Sequence, residues 1–184
     1  MALTHPRRMT ADEFLSLPPD DTKTQLIDGE LVELTDARLR HQLIGGELFR
    51  QLANWLVDHP GVGTGGIGCN WRMDDANVFI PDVWFLRQGR LPDGDRVWLD
   101  GAPDLALEVR SESTWRFDRG RKKDLYLARG AEVWLVDTAE DTVADTVVVH
   151  RADHAHPLTL GRGATLTTPL LPGFALDLTT LFDR

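Results

Sequence analysis

An internal disulfide is the first thing this chain cannot form. It has one cysteine, Cys69, among 184 residues, which excludes an internal disulfide framework and a cysteine-built metal cluster. Long apolar runs are missing too, and none approaches the length that spans a bilayer. The N-terminal MALTHPRRMTADEF carries charges with no apolar segment behind them, so a secretory signal is not expected and the cytoplasm is the default compartment. Positive charge is scarce: 20 Lys and Arg against 29 Asp and Glu leave a net charge of −9. A chain that grips nucleic acid through phosphates usually shows a basic face, so the total argues mildly against tight, non-specific DNA binding. It leaves room for a local basic patch, and Arg116, Arg119, Arg121, Lys122 and Lys123 form one. There is no internal repeat, low-complexity tract or domain-dividing linker, and 1–184 reads as one domain.

What is present is an alternation of helical and strand patterns. MTADEFLSL opens like a helix, with Thr10 as N-cap and Glu13 at the capping-box spacing. TQLIDGELVEL reads as two strands around the Asp28-Gly29 turn. The longest helical pattern, ARLRHQLIGGELFRQLANWLVDH, puts Ile44, Leu48, Leu52, Trp55 and Leu56 on one face. Gly45 and Gly46 inside it cost helix stability and suggest close approach by another element. A Gly-rich and then strand-like stretch follows. DLALEVRS is a strand, DRGRKKDLYLARG a helix closed by Gly130, and EVWLVDTAEDTVADTVVVHR two strands about a polar turn. The tail PLLPGFALDLTTLF docks apolar residues on the body. The expected class is α/β (or α+β), a central mixed sheet flanked by helices, with residues 104 to 137 forming one parallel crossover.

Three stretches could do chemistry. In NVFIPDVWFL, alternation places Val78, Ile80, Asp82, Trp84 and Leu86 on one side, and Pro81 marks an edge or an irregularity. Taken alone, Asp82 is more simply a turn aspartate. In LALEVRS, Leu105, Leu107 and Val109 share one face, and Ala106, Glu108 and Arg110 the other. A buried glutamate must be paired or metal-bound, and here a structural ion pair weighs about as much as a functional role. In FDRGRKKDLY, Asp118, Lys122, Tyr126 and Arg129 fall near one helical stripe. The plain account is a surface ion pair, and the sharper one turns a lysine toward Glu108. Two strand carboxylates and a lysine are the parts of a metal-dependent phosphodiesterase.

With these pieces in view, the chain resembles the Uma-two family of the PD-(D/E)XK nuclease superfamily. MTADEFLSLP, QLIDGELVEL, RHQLIGGELFRQL, IPDVWFL, GAPDLALEVRSEST, FDRGRKKDLYLARGAEVWLVD and LTTPLLPGFALDLTTLF carry the likeness almost end to end. The resemblance implies a restriction-endonuclease-like core and a Mg²⁺- or Mn²⁺-dependent DNA endonuclease, homodimeric so that both strands are cut. Asp82 matches the aspartate of the PD motif and Glu108 the acid of the second motif, with the Val109 carbonyl as a further metal ligand. Residue 110, where the motif lysine is expected, is arginine, and Lys122 stands where the lysine migrates to the following helix. Gln25 completes the pocket in place of a family glutamate, and this neutral ligand should weaken metal binding or shift the duty to Glu30 or a water. Glu112 replaces a proline between Ser111 and Ser113. Arg110 and the cluster at Arg119, Arg121 and Lys123 would meet substrate phosphate, with Ser111, Asp118 and Tyr126 in support.

The histidines are weaker signals. His41 shares the face of Ile44 and Leu48 and matches the family pattern, yet a histidine satisfied at a helix start is the simpler account. His150, His154 and His156 read as a polar turn rather than a metal cluster, and Cys69 as a packing residue. Two rival readings stay open. A non-catalytic descendant that binds nucleic acid or a protein partner is favoured by Gln25, Glu112 and the acidic total. A purely structural oligomer explains the apolar tail but not Glu108.

Overall fold

The computed structural model describes residues 8–18, 23–35, 38–138 and 145–184. Thr10 caps α1 (Ala11–Leu15) through the reciprocal Glu13 bonds that its spacing predicts. Strands β1 (Thr24–Ile27) and β2 (Glu30–Glu33) pair antiparallel about Asp28 and Gly29. Both turn residues have positive φ, 50° and 79°, as a tight two-residue hairpin requires. Helix α2 (Leu39–Asp58) buries Ile44, Leu48, Leu52 and Trp55.

Next come β3 (Gly63–Ile67), β4 (Asn70–Asp74), β5 (Asn77–Phe79), β6 (Val83–Arg87), β7 (Trp98–Asp100) and β8 (Leu105–Val109). A short α3 (Trp115–Phe117), a wide π-type turn (Asp118–Lys122) and α4 (Lys123–Ala128) lead to β9 (Glu132–Asp137). Then follow β10 (Thr146–His150), β11 (Leu158–Gly161), β12 (Thr165–Leu166), β13 (Leu176–Asp177) and α5 (Leu178–Phe182). The polar turn between β9 and β10 lies outside the described residues over 139–144.

The central mixed sheet has six strands in the order β11-β10-β9-β8-β6-β3. Its one parallel pairing, β8 with β9, is the crossover predicted for residues 104 to 137. A second sheet, β2-β1-β5-β4-β7, adjoins it. The stretch from Val78 to Leu86, expected as one strand, is therefore two strands in two sheets. The chain leaves β5 at Ile80-Pro81, where proline cannot donate to a ladder, and enters β6 after Asp82.

One face of the central sheet packs Leu105, Leu107, Val109, Val83 and Phe85 against α2 and the tail residues Leu171, Phe174, Leu176 and Phe182. The opposite face gathers Ala106, Trp84, Leu86, Tyr126 and Trp71. Gly45 and Gly46 do not serve close approach: a Cβ on either would meet nothing within 4 Å. The close approach is in β3, where a Cβ on Gly65 would lie 2.8 Å from Leu52 of α2 and one on Gly63 would lie 2.3 Å from the Leu86 carbonyl. No helix among the described residues is long and apolar enough to cross a membrane.

Candidate active site

Every residue of β8 is buried, so the side opposite Leu107 forces Glu108 into the protein at 3% exposure. A carboxylate so placed needs partners. Helix α4 and its preceding turn supply them, because the parallel crossover lays that segment over the Ala106–Glu108 face. Lys122 Nζ lies 2.8 Å from Glu108 Oε1 and 2.8 Å from Asp118 Oδ1. Tyr126, the only tyrosine in the chain, donates its hydroxyl to Glu108 Oε1 at 3.2 Å. The spacing of Asp118, Lys122 and Tyr126 holds even though Gly120 breaks the helix with φ −112° and ψ −108°. These three residues are at most 1% exposed, so the Asp118–Lys122 pair is a buried one rather than surface decoration.

A relay of hydroxyls steadies Asp118. Thr114 donates to Asp118 Oδ2 at 2.7 Å. That uses its one hydroxyl hydrogen, so in the 2.6 Å contact between Ser111 Oγ and Thr114 Oγ1 the donor is Ser111. Thr114 carries no motif, and only its four-residue spacing from Asp118 could have revealed it.

Asp82 enters from the other strand. The antiparallel register of β6 on β8, Val83 opposite Leu107, sets it beside Glu108. Its Oδ2 accepts the Val109 N–H at 2.8 Å and lies 3.3 Å from His41 Nε2. His41 comes from the first turn of α2, and its Nδ1 is buried without a hydrogen-bond partner among the described residues. No hydrogen bond from a described residue reaches Asp82 Oδ1 or Glu108 Oε2.

The cluster holds more carboxylates than cations, and its proton affinities follow. Burial pushes Glu108 well above its usual range, the charges of Asp118 and Asp82 add to this, and Lys122 only partly opposes it. Burial alone would lower Lys122, but Asp118 and Glu108 outweigh it and raise its proton affinity, so the side chain is held as an ammonium. Tyr126 is pushed up by burial and by the same two carboxylates. For His41, burial lowers the value, while the hydrogen bond and charge of Asp82 and the Val109 backbone raise it further, for a net increase.

Other residues singled out in the sequence stand apart. Gln25 is 1% exposed, and its Oε1 accepts the Ile80 N–H at 2.8 Å, strapping β1 to the segment just ahead of Asp82. Glu30 is exposed at the start of β2, and no hydrogen bond or ion pair among the described residues joins it to the cluster. Arg110 pairs with both oxygens of Asp137 at 2.9 and 3.2 Å. Its guanidinium and that of Arg119 sit 5.8 and 5.5 Å from the Trp115 ring centre. Arg121 bonds Asp28 at 2.7 Å across 93 positions, and Lys123 pairs with Asp124 at 3.2 Å. Glu112 projects into solvent and pairs with Arg38, which offsets its charge. No trio of His, Cys, Asp or Glu among the described residues forms a ready metal-binding group, so the three β10-to-β11 histidines form none.

The sequence model of the Uma2 family, described as "Putative restriction endonuclease", matches residues 11–179. A crystal structure of "a putative nuclease belonging to DUF820" from Anabaena variabilis superposes with a TM-score of 0.81 at 20% identity, over 95% of this chain and 98% of that one. At that identity the likeness is one of fold. No curated protein sequence matches the chain.

Proposed function

This chain belongs to the Uma2 family of restriction-endonuclease-like proteins, and on that footing we propose that it is a Mg²⁺- or Mn²⁺-dependent nuclease hydrolysing DNA phosphodiesters at Asp82, Glu108 and Lys122. The observation that carries the reading is the 2.8 Å contact between Lys122 Nζ and Glu108 Oε1, beside Asp82 on the neighbouring strand. A buried strand carboxylate, a second carboxylate in register and an inward lysine from the next helix are costly to assemble by chance.

The donor set suits a hard divalent cation. Asp82 Oδ1, Glu108 Oε2 and the Val109 carbonyl would hold it, and magnesium accepts one or two carboxylates with water and phosphate oxygens completing its shell. Burial, with the charges of Asp118 and Asp82 added, disfavours the ionised form of Glu108, and a bound cation would favour it. When bound, the ion would polarise the phosphate and acidify a bound water. Lys122, kept protonated between two carboxylates, serves as an electrostatic partner to developing charge and orients water rather than acting as a base. His41 and the Val109 N–H hold Asp82 in place. Arg110 and Arg119, poised on Trp115, would meet flanking phosphates. A homodimer would supply a second site for the second strand.

The rival, a fold that binds nucleic acid without cutting, is favoured by Gln25, whose oxygen serves a backbone N–H instead of adding a third carboxylate. Calorimetric titration of Mn²⁺ into the protein and into Asp82→Ala, with plasmid nicking by the protein and by Glu108→Gln, separates the two. Metal binding lost in Asp82→Ala and nicking lost in Glu108→Gln are expected. Absence of both activities in the parent sinks the nuclease reading, and binding that survives in Asp82→Ala sinks the site assignment.

A further inference from the structure

A cavity of about 380 Å³ opens at the far end of β6, away from the carboxylates, between Trp71, Leu86 and the 88–97 loop that runs into β7. That is within the usual range of small-ligand sites, roughly 300–1,000 Å³. Its walls combine two indoles, Trp71 and Trp98, with the side chains of Asp95, Arg96 and Asp100. Trp98 is 37% exposed although it sits on a strand, and Val97 beside it is 76% exposed. The indole N–H of Trp71 is buried without an acceptor among the described residues. Arg96 uses Nε on the Asp93 carbonyl at 3.2 Å, and no hydrogen bond from a described residue occupies the carboxylates of Asp95 or Asp100. Asp100 lies in the field of Arg72.

Position ties this cavity to the carboxylate site. Trp84 and Leu86 fill the same core as Ala106, so Leu86 and Glu108 lie on one face of the central sheet. Asp82 immediately precedes β6, and Leu86 is four residues further on. At roughly 3.3 Å per strand residue the two points are about 13 Å apart along β6. Stacked nucleotides rise about 3.4 Å per step, so the interval is about four steps of a strand.

We propose that the cavity between Trp71 and Trp98 is a subsite for one unpaired nucleobase of the nucleic acid whose phosphodiester is held at Asp82 and Glu108. The proposal rests on the nuclease reading above and adds where a base is gripped. A nucleobase has the π faces that an exposed indole stacks on, and that stacking tolerates any base. The exocyclic amino groups of cytosine, adenine and guanine suit Asp95 and Asp100 as acceptors, while the free nitrogens of Arg96 face the strand's own phosphate. An unpaired base reaches the cavity from a single strand or by leaving the stack of a duplex.

A cycle of protein and ligand changes tests this. Fluorescence anisotropy measures binding of a labelled single-stranded 12-mer, and of the same length of abasic deoxyribose-phosphate backbone, to the protein, to Trp98→Ala and to Trp98→Phe. The parent should bind the base-bearing strand roughly tenfold or more tighter than the abasic one. Trp98→Ala should lose most of that preference with abasic binding unchanged, and Trp98→Phe should keep it. Equal binding of both strands by the parent, or an undiminished preference in Trp98→Ala, overturns the subsite while leaving the nuclease reading in place. Failure of the parent to bind either strand or to nick plasmid removes the nuclease reading, and this subsite with it.

Discussion

Replacing Lys122 with methionine takes the cation out of the buried cluster and keeps an unbranched chain of similar length. Lys122 is 1% exposed and 2.8 Å from carboxylates on two elements, Glu108 of β8 and Asp118 of the turn before α4. Removing one partner of a buried ion pair leaves the other charged and unpaired, which costs about 3–5 kcal/mol. In a chain of this length each kcal/mol moves Tm by about 2–4 °C, so the variant should melt about 6–20 °C below the parent.

The loss should depend on pH in a defined direction. Glu108 titrates above its ordinary value of 4.5 in the folded protein. Folded protein therefore keeps a proton that the unfolded chain has released. Stability from this source is complete below the ordinary value and is lost as pH rises through the folded one. Without Lys122 the folded value climbs further, so the deficit should be larger at neutral pH than in mild acid, where the loss of the Asp118 partner remains. Urea unfolding followed by tryptophan emission, at about pH 5 and about pH 7.5, compares the deficit in mild acid with that near neutrality. Adding Glu108→Gln to the methionine variant should recover part of the deficit, since the pair couples directly. A neutral-pH loss below about 1 kcal/mol, or a deficit that widens in acid, would refute the account of Lys122 as the counter-ion of a buried acidic cluster.

Three further outcomes test the scaffold. Gly45→Ala and Gly46→Ala should each stabilise the protein by about 0.5–1 kcal/mol in thermal unfolding, because the space beside both is empty and alanine favours helix. Glu132→Ala should cost about 3 kcal/mol in urea, as this buried carboxylate accepts from Trp134 at 2.6 Å, Arg151 at 2.9 Å and Thr168 at 2.9 Å and so ties the tail to β9. Thr10→Ala should cost about 1 kcal/mol, read as a lower Tm, by removing the hydroxyl that accepts the Glu13 N–H, while the Thr10 N–H keeps its bond to the Glu13 carboxylate.

Much of the architecture was legible because it is written in local periodicity. Glu108 stands out in an apolar strand whose two faces fill two different cores in the structure. The four-residue rhythm of Asp118, Lys122 and Tyr126 marked one stripe, and those side chains do converge on Glu108. Pro81 announced an irregularity, but nothing local showed that β5 and β6 would join different sheets. The paired glycines of α2 misled, since low bulk was read as contact when the contact is made by the glycines of β3. Nothing local showed that Arg110, beside Glu108 in the sequence, would pair with Asp137, 27 residues on, through the parallel register of β8 and β9.

The sequence by itself determined which side chains face inward along each element, because alternation and helical stripe depend only on spacing and polarity. It also determined the excess of acid over base that sets the tone of the cluster. Tertiary structure alone decided which inward groups meet. Lys122 reaches Glu108 because a parallel crossover returns the chain over one face of the sheet, and Asp82 reaches Val109 because β6 runs antiparallel with Val83 opposite Leu107. Those registers come from burying two cores at once. A one-residue slip of β6 would turn Asp82 and Leu86 to the other face and separate the acid pair.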